Sequence, residues 1–137
     1  MFSDEERALL DLPAFASLAT LLPDGTPQMT VMWYRREGDA LHMITPSSTR
    51  KARNMAKDGR AAIVVTDPDN SYAYVEMRGR IELSRDPNAI RDTLRAIATR
   101  YIGAERAEPY TAARDPNQRV LITFHPDHVV GHFERKP

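Results

Sequence analysis

Between Phe15 and Leu83 the chain is a train of strand-length runs set between strong turn signals, a spacing that excludes most helical folds. Phe15 to Leu22 alternates small with large apolar residues and reads as a barrel-type strand. Pro23-Asp24-Gly25-Thr26-Pro27 is a turn, because Pro fixes φ while Asp and Gly suit tight bends. Gln28 to Arg36 is the second strand, with Met29, Val31 and Trp33 on one face and Thr30, Met32 and Tyr34 on the other. Glu37-Gly38-Asp39 turns into the third, Ala40 to Thr45. Arg60 to Thr66 is continuously apolar and rich in β-branching from Ala61 to Val65. It is too short for most helices and is read as a strand buried on both faces. After a turn at Asp67-Pro68-Asp69-Asn70 comes a long strand, Ser71 to Leu83, in which Gly79 marks a bulge or a close backbone approach. Arg119 to Phe124 and His128 to Phe133 read as two closing strands broken by Pro126.

Helices are few. Ser3-Asp4-Glu5-Glu6 is a capping box that opens a short helix through Leu10. Asp86-Pro87 opens the one long helix, since Pro is favourable at the first helical position. Ile90, Leu94, Ile97 and Tyr101 recur at helical spacing, and Gly103 ends the helix. Residues 104–117 are polar and Pro-containing, a loop or loose helix. The prediction is a mainly β protein with some α: a six- to seven-stranded antiparallel barrel, because closure removes exposed edges. At 137 residues one domain, 1–137, is expected. Apolar rows left over on strands three to five imply a subunit interface.

Composition narrows the function. With 19 basic and 19 acidic residues the chain is no general polyanion binder, and nucleic acid is not an expected partner. The absence of cysteine removes disulfides, thiolate catalysis and Cys-based metal sites together. The longest uncharged run, Leu12 to Pro23, is too short for a bilayer, and an acidic N-terminus is the wrong flank for a secretory signal. A cytoplasmic protein with no membrane partner is expected. His125, His128 and His132 tempt a metal reading, but on a strand the last two are ~13 Å apart at about 3.3 Å per residue. Bonds of about 2.1 Å to one ion do not allow that, so no metal is assigned. No nucleophile elbow or His–carboxylate spacing stands out, so no catalytic residue is assigned either.

Charge is unevenly distributed. Residues 50–60 hold Arg50, Lys51, Arg53, Lys57 and Arg60 against Asp58. The segment Thr45-Pro46-Ser47-Ser48-Thr49-Arg50-Lys51-Ala52-Arg53-Asn54-Met55 opens a short helix ending at Asp58-Gly59, with the serine hydroxyls available as caps. Cations in a first helical turn oppose the macrodipole, so this helix start is built for an anion. Free N–H groups, hydroxyls and fixed cations are what a phosphate dianion needs. A solvated basic surface helix is the plainer alternative.

These pieces together resemble the pyridoxamine-phosphate-oxidase-like split β-barrel flavoproteins over residues 14 to 133. The resemblance rests on Ala19-Thr20 before the Asp24-Gly25-x-Pro27 turn, on Arg50-Lys51-Ala52-Arg53-Asn54-Met55, on Asp58-Gly59-Arg60 before the apolar strand, and on Gly79-Arg80-Ile81-Glu82. It implies that Arg50 and Lys51 hold a cofactor phosphate and that the ring lies in a cleft between the two subunits of a homodimer. Arg53 joins them for the phosphate and acidic tail, and Thr45 and Thr49 offer hydroxyls beside Lys51. Asn54 either reaches the cofactor or bonds backbone. Met32, Trp33 and Tyr34 lie on the strand passing the ring, where backbone groups bond the pyrimidine edge; core packing is the alternative for their side chains. Tyr72 and Tyr74 wall the substrate cleft or seal the dimer.

The chain departs from true pyridoxamine-phosphate oxidases, having no Trp after Trp33 and no C-terminal Trp-Arg or Arg-x-His motif. It is similar instead to the compact branch that uses the 5-deazaflavin coenzyme F420, sharing its Lys-x-Arg-Asn helix core and a closing Arg119-Val120-Leu121 strand. That likeness implies hydride transfer to an unsaturated small molecule such as a quinone, enone or tetrapyrrole. FMN is the alternative cofactor, because one phosphate site serves both. A non-catalytic cofactor- or haem-binding barrel is the alternative of another class.

Overall fold

The computed structural model describes every residue from Met1 to Pro137. Seven strands form one antiparallel sheet: β1 (Ala16–Leu21), β2 (Pro27–Met32), β3 (Arg35–Glu37), β4 (Ala40–Pro46), β5 (Arg60–Asp67), β6 (Asn70–Ser84) and β7 (Arg119–Phe133). Their order is β2-β1-β5-β6-β7-β4-β3. The strands at the two edges, β2 and β3, are joined by Trp33 and Tyr34 alone. So short a link brings the first and last strands together and curls the sheet into a barrel. No ladder connects β2 to β3, and the barrel is split along that seam.

Alternation decides what fills it. Leu18, Ile63, Val65, Val75, Met77, Leu41, Met43, Ile122 and Phe124 point inward and are buried. Two short helices close the ends. α1 (Asp4–Leu10) carries the expected capping box, Glu6 N–H donating to Ser3 Oγ at 3.1 Å and Ser3 N–H to Glu6 Oε1 at 2.8 Å. It buries Leu9 and Leu10 at one end. α2 (Arg50–Lys57) buries Ala52, Asn54 and Met55 at the other. α3 (Pro87–Ile102) starts at Pro87 and stops at Gly103 as expected, and packs against β4 and β7.

Several elements differ from the sequence reading. The second strand stops at Met32 instead of running through Arg36, because the chain must leave one sheet edge to reach the other. The closing strands are one strand, β7, without a break at Pro126. Pro126 sits opposite Gly79, where the register slips and no ladder N–H is needed. The close approach at Gly79 is real: a Cβ there would lie 2.1 Å from the His125 carbonyl oxygen. Residues 104–112 form a helix, α4 (Ala104–Ala112), in spite of Pro109. Ala107 and Thr111 are buried, and Glu108 meets Arg95 of α3 at 2.8 Å, contacts that outweigh one missing N–H. β5 is not buried on both faces of the chain. Ile63 and Val65 face the core, whereas Ala62 and Val64 are half-exposed on the outer face.

Candidate functional site

α2 begins where β4 ends. Thr49, not either serine, is its N-cap, and the Thr49 hydroxyl accepts Ala52 N–H at 3.3 Å. Ser47 instead donates to the Gln118 carbonyl at 3.1 Å, which pins the turn to the start of β7. Thr45 is buried, with its hydroxyl 3.3 Å from that of Thr49. The cap serves one N–H only, and the other N–H groups of the first turn have no intrahelical partner. Arg50, Lys51, Arg53 and Lys57 then follow, and none has a carboxylate within the 4.0 Å that defines an ion pair. Every charged side chain of the helix is positive. Lys51 is half-buried, and burial alone holds its pKa below the ordinary lysine value. A half-buried ammonium without a counter-ion is the donor set a phosphate monoester or carboxylate completes.

Arg50, Arg53, Asn54 and Lys57 fall at helical spacing and line a groove of about 530 Å³ with Leu21, Leu22 and Pro23 of the β1–β2 hairpin and with Asp58, whose carboxylate is paired with Arg60. Lys57 was passed over in the sequence reading, although the positions 50, 53, 54 and 57 put it on the same helical face. For Asn54 the structure shows a tether to two side chains in place of a backbone bond. Its side chain is buried, and its amide N–H₂ donates to Thr20 Oγ1 at 3.2 Å and Gln28 Oε1 at 3.1 Å. It fastens α2 to the hairpin that forms the groove wall. Its Oδ1 has no partner.

The remaining expected residues lie away from this helix. Met32 faces the core at the far end of β2. Trp33 stacks on Tyr101, with centroids 4.8 Å apart, and meets the tilted ring of Tyr110 at 5.5 Å. Its backbone N–H and C=O make no backbone hydrogen bond, because the ladder ends at Met32. The Tyr34 side chain takes the core-packing alternative. Its ring is fully buried, its hydroxyl donates to the Leu10 carbonyl at 2.6 Å, and burial pushes the phenol pKa up. Its backbone N–H is taken by the Tyr101 hydroxyl at 3.2 Å. Tyr34 locks α1 to the seam and offers a ligand little. Tyr72 is exposed on the outer face of β6, some seven residues and ~23 Å along the strand from Gly79 at the α2 end. Within one chain it stands apart from the other candidates. Tyr74 stacks on His132 at 4.2 Å, and His125 lies 3.1 Å from Glu82, so these histidines are engaged at separate places.

Between α2 and the seam runs the outer face of β1, β2, β5, β6 and β7. Two adjoining grooves of about 260 and 510 Å³ share Ala19, Ala62, Arg78 and His128 and form one trough across it. Met29 lines it, 60% exposed, which is high for a large apolar side chain. Arg60 and Arg80 are directly opposed across β5 and β6 at its α2 end. Arg60 is neutralised by Asp58 at 2.8 Å, and those hydrogen bonds hold the Asp58 pKa down at about 2. Arg78 and Arg80 keep their charge unpaired.

Residues 2–133 match the pyridoxamine 5′-phosphate oxidase family. A solved F420 reductase is 32% identical, with a TM-score of 0.80 over 94% of this chain and 98% of that one. A conserved hypothetical protein of Mycobacterium tuberculosis is 25% identical, with a TM-score of 0.82 over 96% of this chain and 85% of its own. A flavocytochrome from Azotobacter vinelandii shares the fold at 18% identity, with a TM-score of 0.78 over all of this chain and 70% of its own. The chain belongs to the pyridoxamine 5′-phosphate oxidase family, within the oxidoreductase-type superfamily of flavin- and deazaflavin-binding split barrels. No helix is long and apolar enough to cross a membrane.

Proposed function

We propose that this protein is a homodimeric oxidoreductase that uses coenzyme F420 to transfer a hydride to an unsaturated small molecule of the quinone, enone or tetrapyrrole type. The observation that carries the reading is the run of α2 cations with no carboxylate partner, in a chain 32% identical to an F420 reductase. The first-turn N–H groups, Arg50 and Lys51 hold the cofactor phosphate, and Arg53 and Lys57 on the groove side meet the acidic tail. The Thr45–Thr49 hydroxyl pair fixes the turn that aims these donors. The unpaired N–H and C=O of Trp33 bond the polar edge of the ring. Met29, lining the trough, meets a second copy of the chain and excludes water from the cleft. Reduced deazaflavin supplies the hydride, so the protein needs no nucleophile. Binding, orientation and dryness are the tasks its own residues perform.

The test is a pair of titrations on purified protein, one with coenzyme F420 and one with FMN, with molar mass followed by light scattering. F420 is expected to bind at least tenfold more tightly, to a species of twice the chain mass. Tighter FMN binding would make the protein a flavin enzyme. Binding of neither would remove α2 from cofactor chemistry, and a monomer would rule out the shared cleft.

A further inference from the structure

A second pocket lies on the other side of Trp33, distinct from the α2 groove. Its volume is about 160 Å³, and it is a half-open pocket lined by Val31 and Trp33 at the end of β2, Ile44 of β4, Leu94 and Ile97 of α3, and Tyr110 of α4, with Met32 beneath. None of its walls carries a charge. The only polar side-chain atoms they own are the Trp33 indole N–H and the Tyr110 hydroxyl. A volume of about this size matches a benzene-sized molecule. Its walls are also fixed. Trp33 is held between Tyr101 and Tyr110, and the Arg114 guanidinium lies 3.4 Å from the Tyr110 ring centroid. Leu94 and Ile97 are buried, so the floor does not depend on a ligand for its position. The mouth is different, since Val31 is 67% exposed at the rim.

The Arg60–Arg80 pair and the apolar trough belong to the face already assigned to the dimer and cofactor. His42, half-buried with an unpartnered Nδ1, faces Arg35 across β3 and Thr123 across β7, and no cavity opens beside it. The pocket by Trp33 combines a defined shape with a uniformly uncharged lining.

We infer that the pocket walled by Val31, Trp33, Ile44, Leu94, Ile97 and Tyr110 binds the hydrocarbon end of the acceptor, a single six-membered ring or a branched unit of that size. The inference rests on the F420 reading for its place in the reaction, because the unpaired Trp33 backbone connects the pocket to the ring site. Volume sets the size of the group, and the uncharged lining excludes a phosphate, sugar or amino-acid moiety there. Desolvating such a group without a partner is costly. The substrate class is thereby narrowed to acceptors whose unsaturated head is attached to a compact apolar ring or branch.

The pocket reports on itself, because Trp33 is the chain's single tryptophan. The protein without cofactor, labelled with ¹⁵N, is titrated with toluene while its one indole N–H resonance is followed. A saturable shift is expected in the wild type, and Val31→Asp, which puts a carboxylate at the rim, should weaken it at least tenfold. Val31 is exposed, so this variant keeps its core, and an unchanged amide spectrum checks that it does. A non-saturating shift, or equal affinity in Val31→Asp, would overturn the inference. So would a shift that appears only on dilution, which would mean that a second copy of the chain fills the pocket. F420 titration of the same sample separates the two readings: a protein that binds F420 and ignores toluene loses the pocket alone, and one that binds toluene and ignores F420 loses the cofactor.

Discussion

Both ends of the barrel are closed by a short helix, and the two are built in opposite ways. α1 has three carboxylates in its first turn, a complete capping box and an Arg7–Asp4 ion pair. Around it, Arg36 grips Asp11 with two bonds of 2.8 Å, and Arg100 donates to the Leu12 carbonyl at 2.8 Å. The Arg36 bonds hold the Asp11 pKa below the usual carboxylate range. Every charge there agrees with the helix dipole or has a partner. α2 has a single hydroxyl cap, no carboxylate in its first turn and no ion pair of its own. Its first-turn cations oppose the dipole. The difference separates an end whose charges are satisfied within the fold from an end left electrostatically incomplete, as the proposed anion site requires.

The contrast can be broken first at the α1 end, where the largest effect is expected. Leu10 is fully buried, and Leu10→Ala should cost about 2–5 kcal/mol in urea unfolding. Affinity for F420, measured where the variant is still folded, should stay within twofold of wild type. A tenfold loss would mean that the two ends are coupled through the barrel and that the division of labour is false.

A smaller effect sharpens the comparison at the α2 end. Asn54→Ala removes the two bonds from the helix to Thr20 and Gln28 and leaves the buried Thr20 hydroxyl without this donor. About 1–3 kcal/mol of stability should be lost in the same unfolding assay. Cofactor affinity should fall with it, because the groove between α2 and the hairpin loses its tie. Undiminished stability would show that water replaces Asn54 and that the groove wall is free to move.

Sequence chemistry reached the elements whose signals are local. The Ser3–Glu6 box, the Pro87 start and Gly103 stop of α3, and the close approach at Gly79 depend on residues within a turn or on one backbone position. What it missed depends on partners far along the chain. Nothing between Gln28 and Arg36 says that the strand must break at Trp33, because the break is forced by the two sheet edges meeting there. Pro126 looked like a terminator since its partner, Gly79, is 47 positions away and supplies the bulge. Pro109 likewise hid a helix that is held by α3. In the site, the basic run was legible because charge is local. The burial of Tyr34 and the tether at Asn54 were not, because each needs a contact more than twenty residues distant.

The central claim, that α2 is an anion site and not a surface helix, is tested most directly by titrating F420 into wild type and Lys51→Ala and melting both apo proteins. The folded pKa of Lys51 lies below its ordinary value of 10.5, so its charged form is a cost to the fold. That cost is present at neutral pH and fades as the pH rises toward the ordinary value. The variant should therefore melt at the same temperature as wild type or slightly higher at pH 7. A charge-assisted bond to phosphate is worth ~1.5–3 kcal/mol, so F420 affinity should fall roughly tenfold to more than a hundredfold. Equal affinities, or an apo variant that unfolds early, would contradict the account and return α2 to the fold.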